Sequence, residues 1–432
     1  MLSNVINQKI NKISIFLSLL PLSFIVGNPA INANVALIII YALIVKGKKL
    51  LKFRFLLIDK LIISFFLLSL ITVLINSFDD LYLKNQNLNF YSIYKTLFFL
   101  RYAMFYFILR YYIQNKLINL NPFFITSSIC VSFVCFDLFY QMYFGKDIFG
   151  YSINHYKMSG PFGKELIAGS YLQRFSLFLF FSIFFLIHSI KKNSKKLLLF
   201  FSWTIILLCI IIAGNRIPFI LFLMTLFLFV LFKKSLRKYF LLIAITFSFS
   251  LFITMKNNEN IYNNFFGFYE RIKNINYLII NHEKYNPKNT PEQIFQFKSG
   301  LVTWSENKIF GGGIKSFNSN CWTVHEKINS TWSCDSHPHN YYIEILSELG
   351  LIGFFIILAI FINLILIYFK KKGSAEPSGH QNTISLILFI LIFSELFIIK
   401  STGSFFSTFN STYIFLLLSI FVGMSVKRIH NR

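Results

Sequence analysis

Apolar stretches about as long as a bilayer is thick recur along this 432-residue chain. A membrane-spanning helix needs about 20 consecutive apolar residues, and about twelve stretches approach that length. They centre on residues 13–28, 30–45, 57–76, 93–112, 122–143, 171–189, 197–213, 217–232, 239–254, 349–369, 382–399 and 411–426. Only 14% of the residues are charged, against about 25% in an average soluble domain. The sequence therefore predicts an all-α polytopic membrane protein with about twelve transmembrane helices.

The basic residues indicate how these helices cross the membrane. Clusters of Lys and Arg follow every second predicted span, the densest at 46–54, 191–196, 233–238 and 370–372. Cytoplasmic loops carry such an excess, so twelve spans place every cluster, and both termini, in the cytoplasm. The formal net charge of +25 is then mostly a topology signal, and we expect no nucleic-acid partner.

The opposite face holds a long polar segment, residues 255–345, between the ninth and tenth predicted spans. We therefore predict transmembrane helices 1–9 over residues 1–254 and a periplasmic loop or cap domain over 255–345. Residues 346–432 are expected to form transmembrane helices 10–12 and a cytoplasmic tail. The first apolar stretch lacks a small-residue cleavage site followed by a soluble domain, which favours a retained span over a signal peptide.

Cysteine positions fit this map. Cys130, Cys135 and Cys209 fall in apolar spans, where buried thiols are expected. Cys321 and Cys334 lie in the long outer loop, and disulfides persist in an oxidising compartment such as a periplasm. We predict a disulfide between these two.

Two histidines follow the second of those cysteines closely. His337 and His339 precede an amphipathic stretch, and Asn340 is a candidate cap for its helix. One interpretation is a zinc site with His325, Asp335 or the two cysteines, but the spacing matches no standard zinc arrangement and a disulfide would consume the thiols. Another is a general base or phosphate-binding group at a helix N-terminus, and a third is a pair of solvated loop residues. No metal site is predicted.

Cationic side chains form a second group. Arg216 lies in a short outer turn between two strongly apolar spans, where an ionised group is costly unless it is paired or functional. Arginine binds phosphate oxygens in a bidentate manner, whereas an Arg216 that reaches the interface would only contact lipid headgroups. Arg101 falls in the middle of the fourth predicted span, where either a buried ion pair or a misplaced span boundary would account for it. Four further residues are candidates for an outward-facing cationic pocket: Lys164, Arg174, Arg271 and Lys315.

Three consecutive glycines, Gly311, Gly312 and Gly313, form a third feature. Such residues permit close backbone approach to a ligand or positive backbone dihedrals, although a plain flexible turn is an equal alternative. The segment follows no predicted strand, so a nucleotide-binding loop is unsupported.

Together these residues resemble the O-antigen ligase and O-antigen polymerase superfamily, integral-membrane glycosyltransferases of the bacterial cell envelope. The most specific similarity is His339-Asn340, then nine residues, then Gly350. The likeness extends from the Arg101 span to Thr412. Other segments are similar to the family: Gly311–Phe317, Cys321, Cys334–Asn340 (an O-antigen ligase-like subgroup), Gly160–Gly163, Gly169, Tyr171, Arg216 and Thr402–Phe406. One departure is that many members carry an Arg shortly before the Trp304 position, where this chain has Lys298 and, further upstream, Arg271.

The resemblance implies a GT-C-like helical fold in the bacterial inner membrane, with the active site facing the periplasm. It implies metal-independent transfer of a glycan from undecaprenyl diphosphate to the lipid A core in lipopolysaccharide biosynthesis, without a cofactor. His339 is then expected to orient or deprotonate the acceptor hydroxyl, and Arg216 to stabilise the diphosphate leaving group. Further diphosphate contacts are expected from Arg174, Lys164 and Arg271. Support for His339, or contacts to the acceptor, are expected from His337, Asn340 and Lys315.

Other functions fit the same sequence. An O-antigen polymerase would use a second lipid-linked glycan as the acceptor. A polytopic transporter or flippase of lipid-linked glycans would fit the number of spans, although a large loop would more naturally divide them six from six. A purely structural or sensory membrane protein would tolerate loss of both His339 and Arg216.

Overall fold

The structure is a computed structural model. It describes residues 11–51, 55–83, 86–153, 157–187, 191–233, 236–257, 292–327, 334–373, 379–398, 400 and 403–425, with scattered positions between 259 and 273.

Helices dominate this described part of the chain, and it contains no β-strand. The helices of eight or more residues are α1 (Lys12–Val26), α2 (Asn28–Lys46), α3 (Leu57–Leu83), α4 (Gln86–Phe99), α5 (Arg101–Gln114), α6 (Asn121–Phe144), α7 (Ala168–Phe175), α8 (Lys192–Ile212), α9 (Arg216–Phe232), α10 (Arg237–Asn257), α11 (Glu292–Glu306), α12 (Phe317–Lys327), α13 (Tyr341–Gly373), α14 (Gly379–Glu395) and α15 (Thr408–Ser425). The predicted all-α class is confirmed over these residues.

Six of the described helices are long and apolar enough to cross a membrane: Asn28–Leu50, Leu57–Ser77, Asn121–Phe144, Asn193–Ile212, Tyr341–Lys370 and Thr408–Ser425. Four shorter apolar helices, Lys12–Val26, Arg216–Phe232, Leu242–Asn257 and Asn382–Glu395, match further predicted spans. Several long apolar helices make this a multi-pass membrane protein. The count of twelve, the side on which each loop lies and the division at residues 254 and 345 stay predictions.

Two predicted spans are interrupted. The span predicted at 171–189 consists of α7, a 3₁₀ turn at Ser176–Phe178, one α-turn and a π-turn at Ser182–Leu186. Within the π-turn, the Ser182 hydroxyl donates to the carbonyl of Phe124 on α6, 2.9 Å away. A hydropathy pattern does not predict this interruption, because α-, 3₁₀- and π-turns all accept the same apolar residues.

The second interruption corrects the placement of Arg101. The structure breaks the predicted 93–112 span at Leu100, so Arg101 begins α5 rather than lying in the middle of a helix. Its guanidinium donates to the carbonyl of Phe98 at 2.7 Å and to the Tyr102 hydroxyl at 2.7 Å. The Arg101 side chain thus donates to the carbonyl of Phe98, which in a continuous helix would accept a hydrogen bond from a backbone amide.

The chain packs as two compact units. The first comprises Met1–Tyr41 and Lys116–Asn276, and the second comprises Ala42–Asn115 and Tyr277–Arg432. In the first, α1 lies along α6, where the Thr126 hydroxyl donates to the carbonyl of Ser18 at 2.7 Å. In the second, α5 lies along α15, and Gly423 allows the backbones to approach because a Cβ there would lie 3.0 Å from Cβ of Ile113.

A buried ion pair joins α3 to α5 inside the second unit. Asp59 and Arg110 are both fully buried, with 2.9 Å between Oδ2 and Nη1. The same carboxylate accepts hydrogen bonds from the Tyr106 hydroxyl at 2.8 Å and the Leu56 amide at 2.6 Å. Both of its oxygens are therefore engaged, which is the condition under which a buried charge is tolerated.

We expect removal of one partner of this pair to be costly. Arg110→Met leaves a buried carboxylate without its countercharge, which destabilises proteins by about 3–5 kcal/mol. Thermal unfolding of the purified protein in detergent should show a markedly lower melting temperature for Arg110→Met. The double variant Asp59→Leu with Arg110→Met should recover part of that loss. Lys60→Met, at an exposed neighbouring position, is the control. Equal melting temperatures for Lys60→Met and Arg110→Met would contradict a stabilising pair.

Candidate functional site

The histidine loop, residues 334–340, is fastened at its start. The structure contains the predicted disulfide between Cys321 and Cys334, which ties the loop to α12. From the same helix, the Asn318 amide donates to the carbonyl of Cys334 at 3.1 Å and to that of Asp335 at 2.9 Å. The loop therefore begins from a backbone held by one covalent bond and two hydrogen bonds.

His339 lies beside a carboxylate. Its Nε2 is 3.7 Å from Oδ2 of Asp335, and its side chain is 30% exposed. The same Asp335 oxygen accepts a hydrogen bond of 2.6 Å from the amide of Gln296 on α11. A carboxylate held in place next to an accessible imidazole can stabilise the positive charge that the ring gains when it takes up a proton.

His337 has a different environment. Its Nδ1 is 2.9 Å from the Ser336 hydroxyl, and its ring centroid is 4.1 Å from that of His339. Burial, together with the charges of His339 and Lys315, lowers the pKa of His337 from its ordinary value of 6.5 to about 3. His337 is therefore neutral at physiological pH, and it packs beside His339 as an uncharged ring.

The loop ends in a capped helix. Oδ1 of Asn340 accepts hydrogen bonds from the amides of Tyr342 at 3.0 Å and Ile343 at 3.2 Å, as its position in the sequence predicts. Its Nδ2 donates to the carbonyl of Ile398 at 2.8 Å. Both ends of the Asn340 amide are thus engaged within the protein, which fixes the first turn of α13.

A buried cluster holds the next residue. Tyr341 donates its hydroxyl proton to Oε1 of Glu395 at 2.9 Å, and Nζ of Lys400 lies 3.0 Å from that hydroxyl oxygen. Lys400 also forms an ion pair with Glu395, and their side chains are 4% and 1% exposed. The start of α13 is therefore tied to the end of α14 and to the connector that follows it.

The glycine segment crosses α13 at Gly350. That residue interrupts the helix with φ 64° and ψ −167°. A Cβ on Gly350 would overlap the carbonyl oxygen of Ile309, and one on Gly311 would overlap the carbonyl carbon of Glu348. The two glycines thus allow two main chains to touch, so the close approach predicted for the glycines is to α13 rather than to a ligand.

The crossing is hydrogen-bonded in both directions. The amides of Gly312 and Gly313 donate to the carbonyls of Ser347 at 3.0 Å and Glu348 at 2.8 Å. The Leu351 amide donates to the carbonyl of Lys308 at 2.9 Å. The carbonyls and amides that the kink removes from the helix ladder therefore find new main-chain partners, as buried backbone groups require.

Lys315 connects this crossing to two buried acids. Its backbone amide donates to Oε2 of Glu348 at 2.8 Å, and its Nζ lies 3.5 Å from Oε1 of Glu344. Its Nζ also donates to the Ser404 hydroxyl, which in turn donates to Glu344 at 2.5 Å. Glu344 is completely buried, and these contacts supply its countercharge and its donors.

The predicted phosphate contacts lie in the first unit. Arg216 is half-buried at the start of α9, Arg174 is buried in α7, and Lys164 is exposed in the turn before α7. Asn215 fastens α7 to α9, because its Oδ1 accepts from the Gly169 amide at 2.8 Å and its Nδ2 donates to the carbonyl of Leu166 at 3.0 Å. Arg271 lies outside the described residues.

Several residues of this arrangement were not among those singled out from the sequence for catalysis. Asp335 was considered only as a metal ligand, and Gln296, Glu344 and Lys400 were not considered. A signal existed for Glu344 and Glu348, because two acids four residues apart at the start of an apolar helix are costly unless they are paired. No comparable signal marks Gln296, whose partner is distant in the chain.

A comparison with protein families supports the resemblance. Residues 197–358, which include most of α8, helices α9–α12, the histidine loop and the kink at Gly350, match the family model described as O-antigen ligase. No curated protein matches the chain.

We expect Gly350→Ala to disrupt the crossing. The backbone conformation at Gly350, φ 64° with ψ −167°, is one that essentially only glycine adopts and costs about 1–3 kcal/mol for a residue with a Cβ. The overlap with Ile309 adds about 1–3 kcal/mol. Gly145→Ala is the matched control, since φ is 75° there but a Cβ would meet nothing within 4 Å. Thermal unfolding in detergent should show a larger loss for Gly350→Ala. Equal losses would mean that the close approach contributes nothing.

We also expect His337 to make stability depend on pH. Its folded pKa of about 3 lies below its ordinary value of 6.5, so the unfolded chain binds more protons between these limits. Stability should therefore fall as the pH falls from 6.5 towards 3, and His337→Asn should flatten that slope. Melting temperatures across this range test the effect, with His325→Asn as a control for the loss of one imidazole. An unchanged slope in His337→Asn would refute the assignment.

Proposed function

We propose that this chain, whose residues 197–358 match the O-antigen ligase family model, transfers a glycan from undecaprenyl diphosphate to a hydroxyl group of the lipid A core. The family is one of membrane glycosyltransferases that act on lipid-linked glycans. The donor, the acceptor, a GT-C-like fold and an inner-membrane location with the site facing the periplasm are parts of the proposal.

The proposal depends mainly on the environment of His339. An imidazole that is 30% exposed lies 3.7 Å from a carboxylate, on a loop fixed by a disulfide and by the cap of α13. A general base needs a fixed position, access to its substrate and a group that stabilises its protonated form. His339 meets these three requirements.

The reaction follows from that assignment. The acceptor oxygen attacks the anomeric carbon of the donor sugar while His339 takes the hydroxyl proton. The bond from that carbon to the phosphate oxygen breaks, and undecaprenyl diphosphate leaves with the electron pair. Asp335 stabilises the imidazolium, which then returns the proton to the medium or to the diphosphate.

Other residues are assigned supporting roles. Asn340 positions His339 through the helix cap, Lys315 positions α13 through Glu344 and Glu348, and His337 supports the ring as a neutral neighbour. The charge of the diphosphate is assigned to cationic side chains rather than to a metal, because a fixed guanidinium meets phosphate charge directly. Those side chains are Arg216 first, then Arg174, Lys164 and Arg271, as predicted from the sequence.

Complementation tests the proposal. The wild-type gene should restore long-chain lipopolysaccharide ladders in a ligase-null Gram-negative strain and should not restore them in a polymerase-null strain. His339→Ala should abolish the ladder, since a general base contributes about 10²–10⁴-fold to the rate. Asp335→Asn should weaken it. His325→Ala, at a half-buried histidine on α12, is the matched control and should behave as wild type at equal membrane expression.

The alternatives give different results. Rescue of the polymerase-null strain alone would assign polymerisation of lipid-linked repeats. Full activity of His339→Ala would show that His339 is not catalytic and would favour a transporter of lipid-linked glycans. Transfer with purified donor and acceptor from the native organism decides the case in which neither strain is rescued, because a mismatch of glycans does not affect that assay.

A further inference from the structure

A small polar pocket lies beside the glycine segment within the second unit. It encloses about 40 Å³, and residues of α3, α4, the glycine segment and α12 line it. The lining residues that carry the argument are Tyr91, Ser92, Gly312, Lys315, Ser316 and Asn320. One water-sized group needs about 10–15 Å³, so the pocket has room for about three such groups. We call it the Gly312 pocket.

The lining is polar but not charged overall. Lys315 is the one ionised residue among those that line the pocket. Its ammonium group bonds to Ser404 and lies 3.5 Å from the buried carboxylate of Glu344. That countercharge leaves no net attraction for an anion, so the pocket suits a neutral polar group.

The serines offer acceptors. Ser92 donates its hydroxyl proton to the carbonyl of Ile314 at 2.8 Å, and Ser316 donates to that of Gly313 at 2.7 Å. With each proton committed, the hydroxyl oxygen keeps a lone pair that accepts a further hydrogen bond.

Asn320 offers a donor. Among the residues that the structure describes, its side-chain amide has no hydrogen-bond partner, and it faces Gly312, where a Cβ would overlap Nδ2 of Asn320. The glycine therefore makes space for this amide. An amide donor facing hydroxyl acceptors matches a group that both accepts and donates, as each hydroxyl of a sugar does.

An aromatic residue borders the same pocket. The side chain of Tyr91 lines it and is 54% exposed, and Nζ of Lys95 lies 5.0 Å from its ring centroid. An exposed tyrosine beside polar groups offers an apolar surface and a polar tip to one ligand. Such a combination suits a sugar ring, which has apolar faces and hydroxyl edges.

We propose that the Gly312 pocket binds a pair of hydroxyl groups on a neutral sugar. The inference rests on the proposed glycosyl transfer, which supplies two sources of such a sugar: the glycan of the lipid-linked donor and the carbohydrate of the acceptor. Asn320 and the two serines recognise the hydroxyls, and Gly312 keeps the space in which they meet.

Protection from alkylation tests the pocket without relying on turnover. Ser319 lines the pocket, and Ser319→Cys places a thiol there for maleimide labelling of the full-length protein in nanodiscs. The lipid-linked glycan from the native organism, its lipopolysaccharide core and a neutral oligosaccharide cleaved from each are added separately. We expect at least one of the intact substrates, and the oligosaccharide from it, to slow labelling about tenfold. Protection by donor or by acceptor identifies the source of the sugar.

Two variants make the result specific. In the Ser319→Cys protein, the additional substitution Asn320→Leu should abolish protection of the thiol by sugar. One lost hydrogen bond in a binding site corresponds to about a tenfold loss of affinity. Thr323→Cys, on the exposed side of α12, should label without protection. Labelling of Ser319→Cys that no sugar slows, or protection that survives Asn320→Leu, would overturn the proposal and leave a pocket for water.

The proposed function is measured separately in the wild-type chain. If the wild type transfers glycan while the pocket gives no protection, the pocket proposal alone fails. If the cleaved oligosaccharides protect while the wild type transfers nothing, the proposed reaction fails and sugar binding stands.

Discussion

The second unit depends on one contact between main chains, where residues 308–313 cross α13 at Gly350. The kink frees the carbonyls of Ser347 and Glu348, which a continuous helix would satisfy with the amides of residues 351 and 352. Gly312 and Gly313 supply the missing donors, and the carbonyls of Lys308 and Ile309 accept from Leu351 and Ile352. The exchange is reciprocal, so an apolar helix can be broken without leaving buried backbone groups unpaired.

That contact fixes the spacing between the kink and the histidine. Nine residues of α13 separate Asn340 from Gly350, and a helix of fixed rise converts that count into a fixed length. One end is held by the Asn340 cap and the other by the crossing. The sequence spacing of His339-Asn340 and Gly350 therefore has a structural cause: it sets how far the histidine loop stands from the glycine segment.

The buried charges follow from the same geometry. Glu344 and Glu348 lie one turn apart on the stretch between cap and kink, and the crossing brings Lys315 to both. Glu395, at the end of α14, and Lys400 form a second buried ion pair, next to the first residue of α13. Breaking such pairs costs more than their formation contributes, so they specify one arrangement of α13, α14 and the glycine segment.

Some of this could be predicted from the sequence. Hydropathy located most of the helices, since each needs a long apolar run, and the disulfide was predictable because two cysteines lie outside the apolar spans. The interruptions near Leu100 and Ser182 could not be predicted from hydropathy, because an apolar run fits α-, 3₁₀- and π-turns equally well.

Contacts between residues far apart in the chain could not be predicted either. Gly311 and Gly350 were each recognisable as unusual, but their mutual contact joins positions far apart in the chain. Gln296 approaches Asp335 only after α11 has packed against the second unit's other helices. Such pairings are tertiary, so a single sequence carries no local pattern for them.

Backbone strain within the described residues gathers at the same place. Three of them other than glycine have positive φ: Lys116, Lys315 and His339. Two of the three belong to the arrangement built around α13. A left-handed conformation at a residue with a Cβ costs of order 1–3 kcal/mol and persists only where the surroundings impose it. Around His339 those surroundings are the disulfide and the helix cap, and around Lys315 they are Glu348 and the glycine crossing. Lys116, in the connector between α5 and α6, also has positive φ, so such a conformation does not by itself indicate a function. At His339 and Lys315 it shows that the surrounding contacts, rather than local preference, determine the direction in which each side chain leaves the backbone.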